Sequence, residues 1–169
     1  MKVTIALLSM IILSTTVVAQ STDVDGWNGV KWGMDVAQVR LVIASPIERD
    51  SHLLHGQKVS PVFRTAKPLR MMDIPVWGGF LFSPNDKLIS VELRVDGAFL
   101  DANRSQSELF GRLKQSLLDK YGKPTFTDEN GRTVVWTLPS TSIRLQWTEL
   151  AGHPFMAVTY NQADKKLPS

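Results

Sequence analysis

Residues 75–95 read PVWGGFLFSPNDKLISVELRV, and this stretch settles the class of fold. The apolar run 75–82 places Val76, Phe80 and Phe82 on one side of an extended chain. Ser83-Pro84-Asn85-Asp86 follows, with Pro and Asn in the middle of a turn. Beyond it Ile89, Val91, Leu93 and Val95 alternate with Ser90, Glu92 and Arg94, the period-two pattern of a strand half in the core and half in solvent. Two such strands across a short turn predict an antiparallel hairpin.

Working toward the C-terminus, Ser105 and Glu108 have the S-x-x-E spacing of a capping box. Leu109, Leu113, Leu117 and Tyr121 then recur in steps of four, joined by Phe110 and Leu118. Gly122 supplies the C-terminal cap and Pro124 blocks continuation, so the stretch predicts a helix with an apolar stripe laid on the sheet. Asn130-Gly131 predicts a two-residue hairpin turn between strands over 125–128 and 132–138. Residues 139–142 turn the chain into a strand carrying Ile143, Leu145 and Trp147, and a last strand runs over 155–160.

Toward the N-terminus, residues 30–32 offer a short strand stopped by Gly33. Asp35 and Gln38 form another capping-box pattern, and Val36, Val39 and Ile43 carry a helix over 36–44 that Pro46 ends. Residues 48–68 are the least regular part, read as loop plus an edge strand near 59–65. The Gly78-Gly79 pair marks a bulge or a close backbone approach; it lacks the following Lys-Ser/Thr of a phosphate loop. The expected architecture is α+β, an antiparallel sheet packed by two helices. The repeated order of helix then strands, each with a Val-Trp pair (Val76-Trp77, Val135-Trp136), suggests two fused helix-plus-strands repeats over 27–97 and 104–161.

Residues 1–19 have the anatomy of a cleaved signal peptide: Lys2, an apolar core over 3–13, and Val17-Val18-Ala19 before Gln20. Residues 20–169 are then a single exported domain. The chain has no cysteine, which removes both a disulfide framework and a lipidated N-terminus. It carries 19 Lys and Arg against 16 Asp and Glu, too even a balance for a nucleic-acid partner. After signal cleavage no run is long and apolar enough to span a membrane. A bacterial periplasm is the expected location.

The stretch 27–39, with Trp32-Gly33-Met34-Asp35 and Val39, resembles the opening W-G-M-(S/D)-x-x-x-V element of small exported bacterial proteins of unknown function. Lys120-Tyr121-Gly122-Lys123-Pro124 is similar to the K-Y-G-x-P helix end they carry later. The resemblance implies a small periplasmic α+β domain and carries over no activity and no catalytic residues. The order of elements is also loosely similar to tandem helix-plus-sheet binding modules such as secreted inhibitors and outer-membrane assembly accessory domains, as an analogy of fold alone.

Candidate chemistry is sparse. His52 and His55, three residues apart with Glu48 and Asp50 upstream, form the one histidine pair that could share a metal, against a bland reading as solvated loop residues. There is no G-x-S-x-G elbow and no cysteine nucleophile. Residues 51–72 contain no acid but carry Lys58, Arg64, Lys67 and Arg70, either an anion-facing surface or charges that guard an edge strand. Trp27 and Trp32 flank a Gly-rich start, where they staple it to the sheet or offer an aromatic contact surface.

The expected function is therefore non-enzymatic: binding or assisting another envelope protein or an anionic envelope component, without a cofactor, as a monomer or weak homodimer. Arg64, Lys67, Arg70 and Trp27 are the candidate binding residues. A metal or small-ligand site at His52 and His55 is the alternative, and an envelope hydrolase a more distant one.

Overall fold

The computed structural model describes residues 23–49, 62–102 and 105–163. The chain opens with a two-strand ribbon, β1 (Gly26–Trp27) and β2 (Val30–Lys31), then α1 (Val36–Val42). Next come β3 (Ile47–Arg49), β4 (Val62–Thr65), β5 (Leu69–Met71), β6 (Ile74–Phe82) and β7 (Leu88–Val95). Two helices follow, α2 (Gly97–Ala102) and α3 (Gln106–Tyr121). The chain ends in β8 (Phe126–Thr127), β9 (Thr133–Thr137), β10 (Thr141–Leu150) and β11 (His153–Gln162). The fold is α+β.

Strands β3 to β11 form one sheet in the order β3-β4-β6-β7-β11-β10-β9-β8, with β5 also paired to β6, and all pairings are antiparallel. The order is symmetric about its centre. Each half is a helix followed by a meander, and the last strands of the two meanders, β7 and β11, pair at the middle.

The helices share one face of the sheet. Val39 of α1, Leu100 of α2 and the α3 stripe Leu109, Leu113, Leu117 and Tyr121 join Val76, Phe80, Val91, Leu93, Leu145 and Val158 in a single core. Phe110 of α3 lies 5.9 Å from Trp147 of β10, and Tyr121 lies edge-on to Tyr160 of β11. Trp136, 1 % exposed, donates from Nε1 to the Gly122 carbonyl at 2.8 Å, so a core indole caps the end of α3.

Both resembling elements have structural jobs. Trp32 donates from its indole to the Thr141 hydroxyl at 2.8 Å, tying the ribbon to β10. Gly33, at φ +82, turns the chain so that Gly33 and Met34 pair with Leu88 through backbone bonds. Asp35 and Gln38 close the expected capping box of α1. At the other element, Gly122 at φ +75 ends α3.

Several expectations need correction. The strand at 62–65 is not an edge: β4 lies between β3 and β6, because β3 adds outside it. A third helix, α2, intervenes; only six residues long, it shows too little periodicity to be read from sequence. Ser105 stands at the N-cap of α3 without the side-chain cap bond that its spacing predicts. The loop at Asn130-Gly131 is wider than two residues: Gly131 donates to the Asp128 carbonyl, and Thr133 donates to Asp128 Oδ1 at 3.0 Å. Two-residue turns with both residues at positive φ occur instead at Asn28-Gly29, Met72-Asp73 and Ala151-Gly152. The register shift in the central hairpin falls at Leu81/Phe82 rather than at the glycine pair.

Candidate functional site

A strand's side chains alternate between faces, so the register of this sheet also defines the face away from the helices. One row crosses it completely: Glu48, Arg64, Gly79, Glu92, Thr159, Arg144, Val135 and Phe126 are successive cross-strand partners from β3 to β8. The next row runs Trp77, Arg94, Ala157, Gln146 and Thr133. Helices α1 and α3 lie on the other face, and α2 reaches this one only with its first residue, Gly97.

Near the middle of this face lies a recess of about 340 Å³ lined by Arg64, Trp77, Gly79, Glu92, Arg94 and Phe155, with Gly97 and Pro154 at its rim. Its walls are held in place. Trp77 Nε1 donates to Asp96 Oδ2 at 2.7 Å, and Asp96 Oδ1 accepts from the Phe99 backbone at 3.0 Å at the start of α2. The Phe99 N–H and the Trp77 indole hold the Asp96 carboxyl below its ordinary value of 3.8. Arg94 bonds Glu92 at 3.0 Å and lies over the Phe155 ring, 5.3 Å from its centroid.

The two glycines divide their roles between the faces. Gly78 points to the core, where an added Cβ would lie 3.1 Å from Thr65 Cγ2 and 3.3 Å from both Leu69 and Phe80. This is the close approach that the glycine pair suggests in sequence. Gly79 points to the recess, where an added Cβ would meet nothing nearer than 3.8 Å. The absence of a side chain there leaves the notch between Arg64 and Glu92.

The four candidate binding residues do not assemble. Arg64 lines the recess. Arg70 is paired opposite Pro75, on the same face but farther along β6, and donates to the Asp73 carbonyl at 2.9 Å. Lys67 lies in the link between β4 and β5, where its carbonyl accepts from Ser45. Trp27 is on the helix side, beside a smaller groove of about 190 Å³ with Met71, Leu117 and Tyr160. His52 and His55 lie outside the described residues. Among the described residues, no three His, Asp or Glu side chains are grouped to hold a metal. No described helix is long and apolar enough to cross a membrane.

The wall residues Trp77, Arg94 and Phe155 escape sequence reasoning because their neighbours come from three separate strands. The available signal was the polar half of the alternation at Glu92 and Arg94 beside Trp77-Gly78-Gly79. No known protein family matches the chain, and no curated protein sequence or solved structure matches it either.

Proposed function

We propose that the protein is an exported, non-enzymatic binding module that holds another cell-envelope component on the face of its sheet away from the core. The observation that carries this reading is the preformed recess at Trp77, Gly79, Arg94 and Phe155. Trp and Arg are enriched among the residues that dominate binding energy, and fixing them before contact lowers the entropic cost of association. The hydrogen bond from Trp77 to Asp96 and the stacking of Arg94 on Phe155 supply that fixing. The ionisable groups lining the recess are two guanidiniums and one salt-bridged carboxylate, a set suited to recognition rather than to proton transfer. The signal-like segment 1–19 and the W-G-M-D element support export to a bacterial periplasm.

In-cell photo-crosslinking tests the reading. A photoreactive residue at Thr159 or Gln146 on the open face should give one discrete adduct with an envelope component, weakened by Trp77→Ala. The same probe at Gln115 on α3 should give none. Equal adducts from both faces, or none from the sheet, would overturn the reading.

A further inference from the structure

On the helix side of the sheet, we propose that the groove of about 190 Å³ beside α3 is a separate binding site for a small aromatic carboxylate. This site does not depend on the open-face reading. Leu113, Ser116, Leu117 and Lys120 of α3 fall at spacings i, i+3, i+4 and i+7, so they form one continuous wall. Buried Val158 and Tyr160 of β11 form the base. Trp27 of the N-terminal ribbon, with Met71 and Met72 at the end of β5, completes the lining.

The lining selects the shape of the ligand. A cavity of about 150 Å³ holds one benzene ring, so this groove admits a single ring with a short arm. Trp27 and Tyr160 offer aromatic surfaces and the two methionines offer thioethers, both of which favour an aromatic ring over an alkyl chain. Met72 is 39 % exposed and adopts φ +50 in the turn between β5 and β6. A long apolar side chain in a left-handed turn position, open to water, contributes little to the fold. A ring lying against it removes that surface from water.

Charge selects the head group. Among the described lining residues Lys120 is the one charged side chain. Its ammonium lies 5.1 Å from the centre of the Tyr121 ring and has no carboxylate within ion-pair distance among the described residues. The adjacent acid, Asp119, accepts from Gln115 instead. A carboxylate on the ligand's arm supplies the missing counter-ion, with the Ser116 hydroxyl one helical turn away as a second donor. A protein partner needs about 800 Å² on each side, far more than a groove for one ring provides.

The test uses isotopically labelled protein spanning residues 20–169 and three probes: phenylacetate, its neutral amide and hexanoate. Phenylacetate should give saturable NMR shifts at the Trp27 indole N–H and the Met71 and Met72 methyl groups. The amide and hexanoate should each bind about tenfold more weakly, the first lacking the charge and the second the ring. Lys120→Gln should bring phenylacetate down to the affinity of the amide and leave the amide unchanged, a pattern that loss of folding cannot imitate. Crosslinks from Thr159 should be unaffected by that substitution, so the two sites stand or fall separately. Equal binding of the three probes, or no shifts at these groups, would overturn the proposal. Tighter binding of a peptide ending in a free Phe carboxylate would also overturn it, in favour of a protein terminus.

Discussion

The indole of Trp77 and the carboxylate of Asp96 are joined by a 2.7 Å hydrogen bond, which ties the middle of β6 to the first turn of α2. Asp96 is the N-cap of that helix: its carbonyl accepts from Leu100 and its side chain from Phe99. One carboxylate thus starts a helix on the core side and fixes a wall of the recess on the other.

Asp96→Ala should lower stability by about 1 kcal/mol, the usual value of an N-cap side chain. The same change should release the Trp77 ring. Urea unfolding measures the first effect and indole N–H line shape the second. A fully retained Trp77 signal would show that packing alone holds the ring.

Acid should weaken the fold through two carboxylates. Asp96 is held below 3.8 chiefly by the Phe99 N–H and Asp128 chiefly by the Thr133 N–H. Both are depressed on folding, so their contribution is present above the ordinary carboxylate range and is lost as the pH falls through the lowered values. Unfolding midpoints measured from neutral pH down into that range should decline. The decline should be shallower in the Asp96→Asn, Asp128→Asn double variant.

The two central glycines should separate stability from binding. Gly78→Ala forces a Cβ against Thr65, Leu69 and Phe80 and should cost about 1–3 kcal/mol, the range for overpacking. Gly79→Ala meets no close atom and should leave the melting temperature nearly unchanged while filling the notch that a partner enters. Thermal melts of the two variants, read beside crosslinking from Thr159, give both answers.

Ala151 adopts φ +49 in the tight turn between β10 and β11, a region that costs a non-glycine residue about 1–2 kcal/mol. Ala151→Asn should therefore stabilise the protein by about 0.5–1 kcal/mol, because Asn tolerates this conformation better. A midpoint unchanged in urea would mean that the hairpin does not retain this turn in solution.

The turns show how far local sequence reaches. Asn28-Gly29 and Asn130-Gly131 are the same dipeptide. The first forms the two-residue turn that its chemistry favours, with φ +47 and +84. The second sits in a wider loop, because Asp128 takes the Thr133 N–H with its own side chain. Ala151-Gly152 forms a tight turn without an Asn or Asp, because ten consecutive residue pairs of β10 and β11 hold it closed. Pairing along long strands outweighs the preference of one turn residue.

The same division holds for the site. Arg64 was legible as part of an acid-free stretch, yet that stretch says nothing of β3 lying outside β4 or of Gly79 beside the arginine. Trp27 was legible as an aromatic near the start of the domain, but the fold carries it to the face opposite Arg64.

What the amino-acid order determined alone is local: the α3 stripe with its Gly122 stop, the α1 capping box, and the alternation that makes β6, β7 and β10 one-sided strands. These rest on periodicity and on bonds between residues at most a few positions apart. Strand order, the shared helix face, the tie of Trp32 to Thr141 across 109 positions and the recess were decided by tertiary structure. They depend on which distant strands pair, and that choice is made by burying one common core over the whole domain.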